Sequence, residues 1–342
     1  MLSKIIKKIQ NHLLGTDVCE IRENQDIIKK QIIKIQKHLL GTNIREILEN
    51  QEVIKKQLDE IQRITTEGRL ISGWIDGKLR NFESNWQLET MSKYGDVSNY
   101  KVCKHIARLH ELLQIKSVEG DACLFRTGNS ADGGYIMLDK FIENQVAYSF
   151  GICDDVSWDK FMAERGFDVY MYDHTIAGLP EENEKFHWQK IGLAGIYDEK
   201  HPELHTLPML LEENGHTDKK HMILKIDIEG AEWDVLANLP DKYMEQFDQI
   251  VLEMHDLHNL NNLNKMEKSL EKLNKYHQLV HIHGNNCNWY LMAQGKVLPY
   301  VIECSFIKKD LCEFGDSKRE YPRELDNNNN DGWPDIFLGS WN

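Results

Sequence analysis

From residue 146 onward the apolar positions fall into short runs, each closed by a glycine or an acid and followed by apolar residues at helical spacing. Val146–Phe150 runs into Gly151, and a turn with Asp154 and Asp155 leads to an N-cap at Ser157 and a helix ending at Gly166. Residues 167–172 form a second run, closed by Asp173 and His174, and a third candidate ends at Ile191 and Gly192. The run 222–226 places Asp227 and Glu229 after it, then Gly230, then Ala231, Val235 and Leu236 on one helical face. Residues 249–252 lead to Glu253 and His255, and residues 279–282 to His283, with an amphipathic helix over 260–276 between them. Strand and helix alternating in this way predict an α/β fold with a doubly wound, mostly parallel, Rossmann-like sheet. Two later runs, 290–293 and 301–306, predict a terminal hairpin.

Upstream the pattern changes. HLLGT and ENQ each occur twice, 26 residues apart (His12 and His38, Glu23 and Glu49). Isoleucine and leucine steps of three and four, as in Ile28, Ile32, Ile35 and Leu39, draw a coiled-coil seam. Residues 1–95 are therefore expected to be a helical, coiled-coil segment that joins copies of the chain into a homo-oligomer, with residues 96–342 as the catalytic domain. Val102, Ile106, Leu109 and Leu113 predict an amphipathic helix packed on that domain. Asp132-Gly133-Gly134 between apolar flanks predicts a hairpin.

A net charge of −14 without a basic, aromatic-rich cluster argues against nucleic acid as a partner. Seven cysteines without a CxxC pair point to reduced thiols and a cytoplasmic setting, and no stretch is long and apolar enough to span a bilayer. The chemistry is expected beyond the carboxyl ends of the strands. Gly151 lets a ligand approach the backbone, and Asp173, one helix and one strand later, suits the hydroxyls of a ribose. Without GxGxxG a dinucleotide is disfavoured. Asp227, Glu253, His255 and His283 follow three different apolar runs. Carboxylates and imidazoles converging there suit a divalent cation, or one histidine acts as general base. A metal-dependent hydrolase and a non-catalytic coiled-coil interaction protein remain open at this point.

The segments ILKIDIEGAEWDVL, YSFGICDDVSWD, VYMYDHTI, IVLEMHD and HIHGNN, with RTGN and DGGY before them, resemble the FkbM-type methyltransferases over about residues 120–342. That resemblance implies an S-adenosylmethionine-dependent O-methyltransferase with a seven-stranded sheet. It implies that Gly151, Asp155 and Asp173 contact the methyl donor, with Arg126, Tyr135, His174 and Gly192 completing the cofactor set. Asp227 would lie beside the transferred methyl, with His255 and His283 as the other catalytic residues. By analogy with other O-methyltransferases of this fold, Asp227, Glu253 and His283 would hold Mg, Mn or Fe. Together with the amino-terminal repeats, the resemblance is to enzymes encoded with bacterial capsule or surface-glycan genes, so the implied acceptor is a sugar or a nucleotide-linked sugar.

Overall fold

The structure is a computed structural model that describes residues 97–342 apart from 121, 143 and 144. The repeats and coiled-coil seam expected over 1–95 lie outside the described residues. The account below concerns the unit that holds residues 97–330 and 335–342.

Seven strands form the central sheet. With the flanking hairpins counted, the chain order is β1 (Leu124–Gly128), β2 (Gly134–Leu138), β3 (Val146–Phe150), β4 (Asp168–Tyr172), β5 (Phe186–Gln189), β6 (Met222–Ile226), β7 (Phe247–Met254), β8 (His277–Gly284), β9 (Tyr290–Ala293), β10 (Lys296–Pro299) and β11 (Ile302–Lys308). In the sheet they lie in the order β8-β11-β7-β6-β3-β4-β5. All run parallel except β11, which pairs antiparallel with both neighbours. The expected doubly wound, mostly parallel sheet is therefore present. The expected terminal hairpin is not: 290–293 pairs with 296–299, while Ile302–Lys308 inserts between β7 and β8. A chain that must leave β8 and return beside it antiparallel needs only a short connection, which a parallel strand would not.

Alternation along β3 and β6 assigns the two faces. Tyr148, Phe150, Leu224 and Ile226 join the larger core, with apolar residues of α1 (Val97–Leu112), α3 (Leu207–Glu213), α4 (Glu232–Asn238) and α5 (Leu263–Tyr276). Ala147, Ile223 and Val251 face the other way, against α2 (Ser157–Glu164) and the β1–β2 hairpin. The hairpin thus occupies a place that a helix would take in a fully wound sheet. It is stitched down by polar groups. The buried Gln249 amide donates to the Leu138 carbonyl at 2.9 Å and accepts from the Leu138 N–H at 2.9 Å, and Ser305 Oγ donates to Ile136 O. This docking brings Tyr135 across the strand ends. No helix among the described residues is long and apolar enough to cross a membrane.

Candidate active site

The site is built where β3 and β6, side by side and parallel, end together. Gly151 follows β3 with φ +77°, a region that favours glycine, and a Cβ there would stand 1.5 Å from the Asp227 carbonyl oxygen. The Asp227 N–H donates to Phe150 O at 3.0 Å, so the two strand-end turns are locked against each other. Beneath them Lys225, 4% exposed, donates from Nζ to the Gly151 carbonyl at 2.8 Å. Its ammonium also faces the ring of Tyr135, and its charge acts on the fully buried Asp159 of α2. Burial pushes the Asp159 carboxyl up, and Lys225 opposes that shift.

Asp173 does something more structural than its expected ribose role. One carboxylate oxygen accepts the N–H groups of Ile152 and Cys153 at 2.9 and 3.0 Å, and the other accepts Thr175 N–H and Oγ at 2.8 and 2.6 Å. Burial alone would raise its pKa, but Thr175 and these backbone donors hold it below the usual range. Asp155 likewise caps α2, accepting from Ser157 N–H at 2.8 Å and Ser157 Oγ at 2.9 Å. Ser157, expected to be the cap, is the first helical residue instead. Arg126 ties the hairpin loop by donating to Asn129 O and Ala131 O at 2.9 and 2.6 Å. Gly192 leaves room for His174, whose Nδ1 would meet a Cβ at 2.4 Å. Of the expected cofactor set, then, Gly151, Asp155 and Asp173 gather at one turn, His174 and Gly192 pair nearby, and Arg126 and Tyr135 belong to the hairpin.

On the other side of Asp227 the acids crowd. Tyr135 donates its hydroxyl to Asp227 Oδ2 at 3.2 Å. Glu253, 6% exposed, is in hydrogen-bonding contact with Asp227. Burial, then the charges of Asp227 and Glu303, hold the Glu253 carboxyl well above the usual carboxylate range. His255 presents Nδ1 to Glu232 at 3.1 Å and Nε2 to Glu229 at 3.3 Å. Glu232, fully buried, also accepts the N–H groups of Ile228 and Gly230 at 2.9 and 3.0 Å, so one carboxylate fixes both the turn after β6 and the imidazole. Burial would lower the His255 pKa, but Glu232, then Asp227 and Glu229, outweigh it and raise it.

The metal set expected from sequence does not assemble. Asp227 groups with Glu229 and His255, and Glu253 groups with Asp132 and Glu303, each within 4.8 Å. His283 belongs to neither group. It lies 1% exposed between Glu303 (Nδ1 to Oε2, 3.0 Å) and Asp335 (Nε2 to Oδ1, 3.0 Å). Against the effect of burial, Asp335 and Glu303 raise its pKa to about 10. Both ring nitrogens of His283 are thus engaged by carboxylates. Lys225, Glu232 and Glu303 carry much of this geometry and escaped the sequence reading. Only Glu232 had a local signal, two residues after Gly230 in the EGAEW turn.

Residues 141–283 match the family described as the methyltransferase FkbM domain. Over those residues the chain is similar to that family. The FkbM domain thus runs from just before β3 through His283 and includes Gly151, Asp173, Asp227, Glu253 and His255. Probable methyltransferase-like protein 24 of Homo sapiens is 31% identical over 118 residues, which is 32% of this chain and 32% of that protein. Its counterpart in Rattus norvegicus is 30% identical over 118 residues, with shares of 32% and 32%. The chain therefore matches about a third of the length of these curated relatives. Among solved structures, a putative hemolysin from Streptococcus thermophilus is similar with a TM-score of 0.29 at 12% identity, covering 52% of this chain and 72% of that one. The Methanococcus jannaschii fibrillarin pre-rRNA processing protein gives a TM-score of 0.29 at 9% identity, covering 57% and 87%. Likenesses at that level add nothing to the FkbM assignment.

Proposed function

We propose that the FkbM domain transfers a methyl group from S-adenosylmethionine to a hydroxyl of a sugar or nucleotide-linked sugar. The observation that carries this reading is the Asp227 carboxylate, set at the end of β6 within reach of the Tyr135 hydroxyl, on a residue whose backbone packs against the glycine turn after β3. The turn at Gly151 and the loop pinned by Asp173 stand at the ends of β3 and β4, the place where a methyl donor would bind in such a sheet. The donor, when bound, supplies an electrophilic methyl on sulfonium.

The residues of the chain do the rest. Asp227, held by Tyr135, orients the acceptor hydroxyl and takes its proton. Glu253 lies beside Asp227 and would help to hold the cation. His255, whose imidazolium is favoured by Glu232, positions the 227–231 turn and is not the base. Lys225 holds the Gly151 carbonyl. A divalent cation is part of the reading, and its place is taken up below. Cys153, Cys287, Cys304 and Cys312 are free thiols, which supports a cytoplasmic setting. The amino-terminal repeats are read as the segment that oligomerises the chain.

Calorimetric titration of the purified chain with S-adenosylmethionine is expected to show saturable binding. In Asp227→Asn, donor affinity should stay within about threefold of wild type while turnover of a sugar acceptor falls at least ~100-fold. Unchanged turnover in that variant would remove Asp227 from the mechanism. Absence of donor binding in the wild type would turn the reading toward a metal-dependent hydrolase or a non-catalytic interaction domain.

A further inference from the structure

The row of charges that displaced His283 has its own logic. Glu253 of β7 and Glu303 of β11 are direct cross-strand partners, and Glu303 is in turn the partner of His283 on β8. Two glutamates directly opposite each other, each 6% exposed, repel. His283, beyond Glu303, also meets Asp335 on its far side. Asp132, on the turn between β1 and β2, brings a third carboxylate to within 4.8 Å of Glu253 and Glu303. The row is short of positive charge.

Asn329 supplies the second observation. Its Nδ2 donates to Asp132 Oδ1 at 3.0 Å and to Glu303 Oε1, so the side chain ends inside the group of acids. The residue is 8% exposed, and its Oδ1 has no protein partner. A buried, unpaired carbonyl is destabilising unless something binds it. Donors behind the acids orient them: Asn285 Nδ2 donates to Glu253 Oε1 at 2.6 Å and His283 Nδ1 to Glu303 Oε2 at 3.0 Å. Carboxylates held from behind and turned toward a common centre, with an amide oxygen beside them, make a set of hard oxygen donors.

The geometry points to a divalent-cation site of the magnesium or calcium type, formed by Asp132, Glu253, Glu303 and the Asn329 side-chain oxygen. It differs in three of its four members from the set expected from sequence, and it needs no histidine. Asp132 is exposed and lies on the open side, leaving coordination positions toward the cleft. Through Glu253 the cation stands next to Asp227, where it can take vicinal oxygens of the acceptor. That use of the ion rests on the methyl-transfer reading, whereas the site itself does not.

The test uses the full chain, stripped with EDTA and exchanged into metal-free buffer. Mn2+ is titrated by loss of the free-ion electron paramagnetic resonance signal, and Mg2+ and Ca2+ by competition. One saturable Mn2+ site per chain is expected, displaced by Mg2+ or Ca2+. Asp132→Asn, a change on an exposed turn, should weaken it at least ~10-fold. Glu303→Gln, checked for folding by circular dichroism, should weaken it further, and Glu229→Gln should leave it unchanged. No saturable binding in the wild type overturns the site. So does binding that survives Asp132→Asn and is lost in Glu229→Gln, which would move the ion to Asp227, Glu229 and His255. S-adenosylmethionine is titrated into the same stripped protein: donor binding without metal binding overturns the cation site and leaves methyl transfer standing.

Discussion

Lys225 is the residue on which the two halves of the crevice meet. It is buried, its ammonium donates to Gly151 O, and its charge offsets that of Asp159. Lys225 is the buried donor to that carbonyl, and leaving a buried acceptor unsatisfied costs about 1–3 kcal/mol. Lys225→Met should therefore lower unfolding free energy in urea by about that much, and Lys225→Met/Asp159→Leu should recover part of it. Full additivity of the two changes would show that the charges do not interact. The sequence reading passed over Lys225 because it lies inside an apolar run and looked like an interruption of a strand. Its burial becomes visible only when Asp159, Ser149 and the β1–β2 hairpin cover that face. His283 failed in the opposite sense. It stood at a strand end like Asp227 and His255, and nothing near it in sequence announced Glu303 or Asp335.

At the level of elements, what local pattern controls was legible and what long-range pairing controls was not. β3 was read with the bounds the structure shows, and β4, β6, β7 and β8 were located because each is an apolar run closed by a polar or glycine turn. β11 was located too, but its partners were assigned wrongly, since insertion between β7 and β8 depends on residues far along the chain. The segment around Trp341 shows the same dependence. Trp341, 1% exposed, stacks on His110 of α1 with ring centroids 3.8 Å apart and donates Nε1–H to Leu113 O at 2.8 Å. Asn342 brackets Ile115 by accepting its N–H at 2.9 Å and donating to its carbonyl at 2.8 Å. The contacts join residues more than two hundred positions apart, which no periodicity could signal. Trp341→Ala should cost about 3–5 kcal/mol, read as a lower urea midpoint with an unchanged slope. A loss within ~0.5 kcal/mol would mean that the segment does not hold α1 on the core.

For the molecule as a whole, two buried histidines set opposite limbs of the pH dependence of stability. His277 is fully buried with Nε2 against Phe247 O at 2.8 Å, and desolvation, opposed chiefly by that backbone bond, lowers its pKa to about 4. Between pH ~6.5 and about 4 the unfolded chain binds a proton there that the folded chain does not. Stability therefore falls as pH falls through that window. His283, raised to about 10, is the reverse: its contribution is complete below pH ~6.5 and is lost as pH rises toward that value. Each group alone contributes a slope of at most roughly 1.4 kcal/mol per pH unit. Urea unfolding at intervals from pH 4.5 to 9.5 should show wild-type stability highest near neutrality, with both limbs present. His277→Gln should flatten the acid limb and leave the alkaline one, and His283→Gln should flatten the alkaline limb and leave the acid one. The absolute losses from replacing buried side chains do not enter, because only the slopes are compared. If the alkaline slope persists in His283→Gln, the imidazolium between Glu303 and Asp335 is not what holds the acid row together, and the charge shortage argued for that row loses its main counterweight.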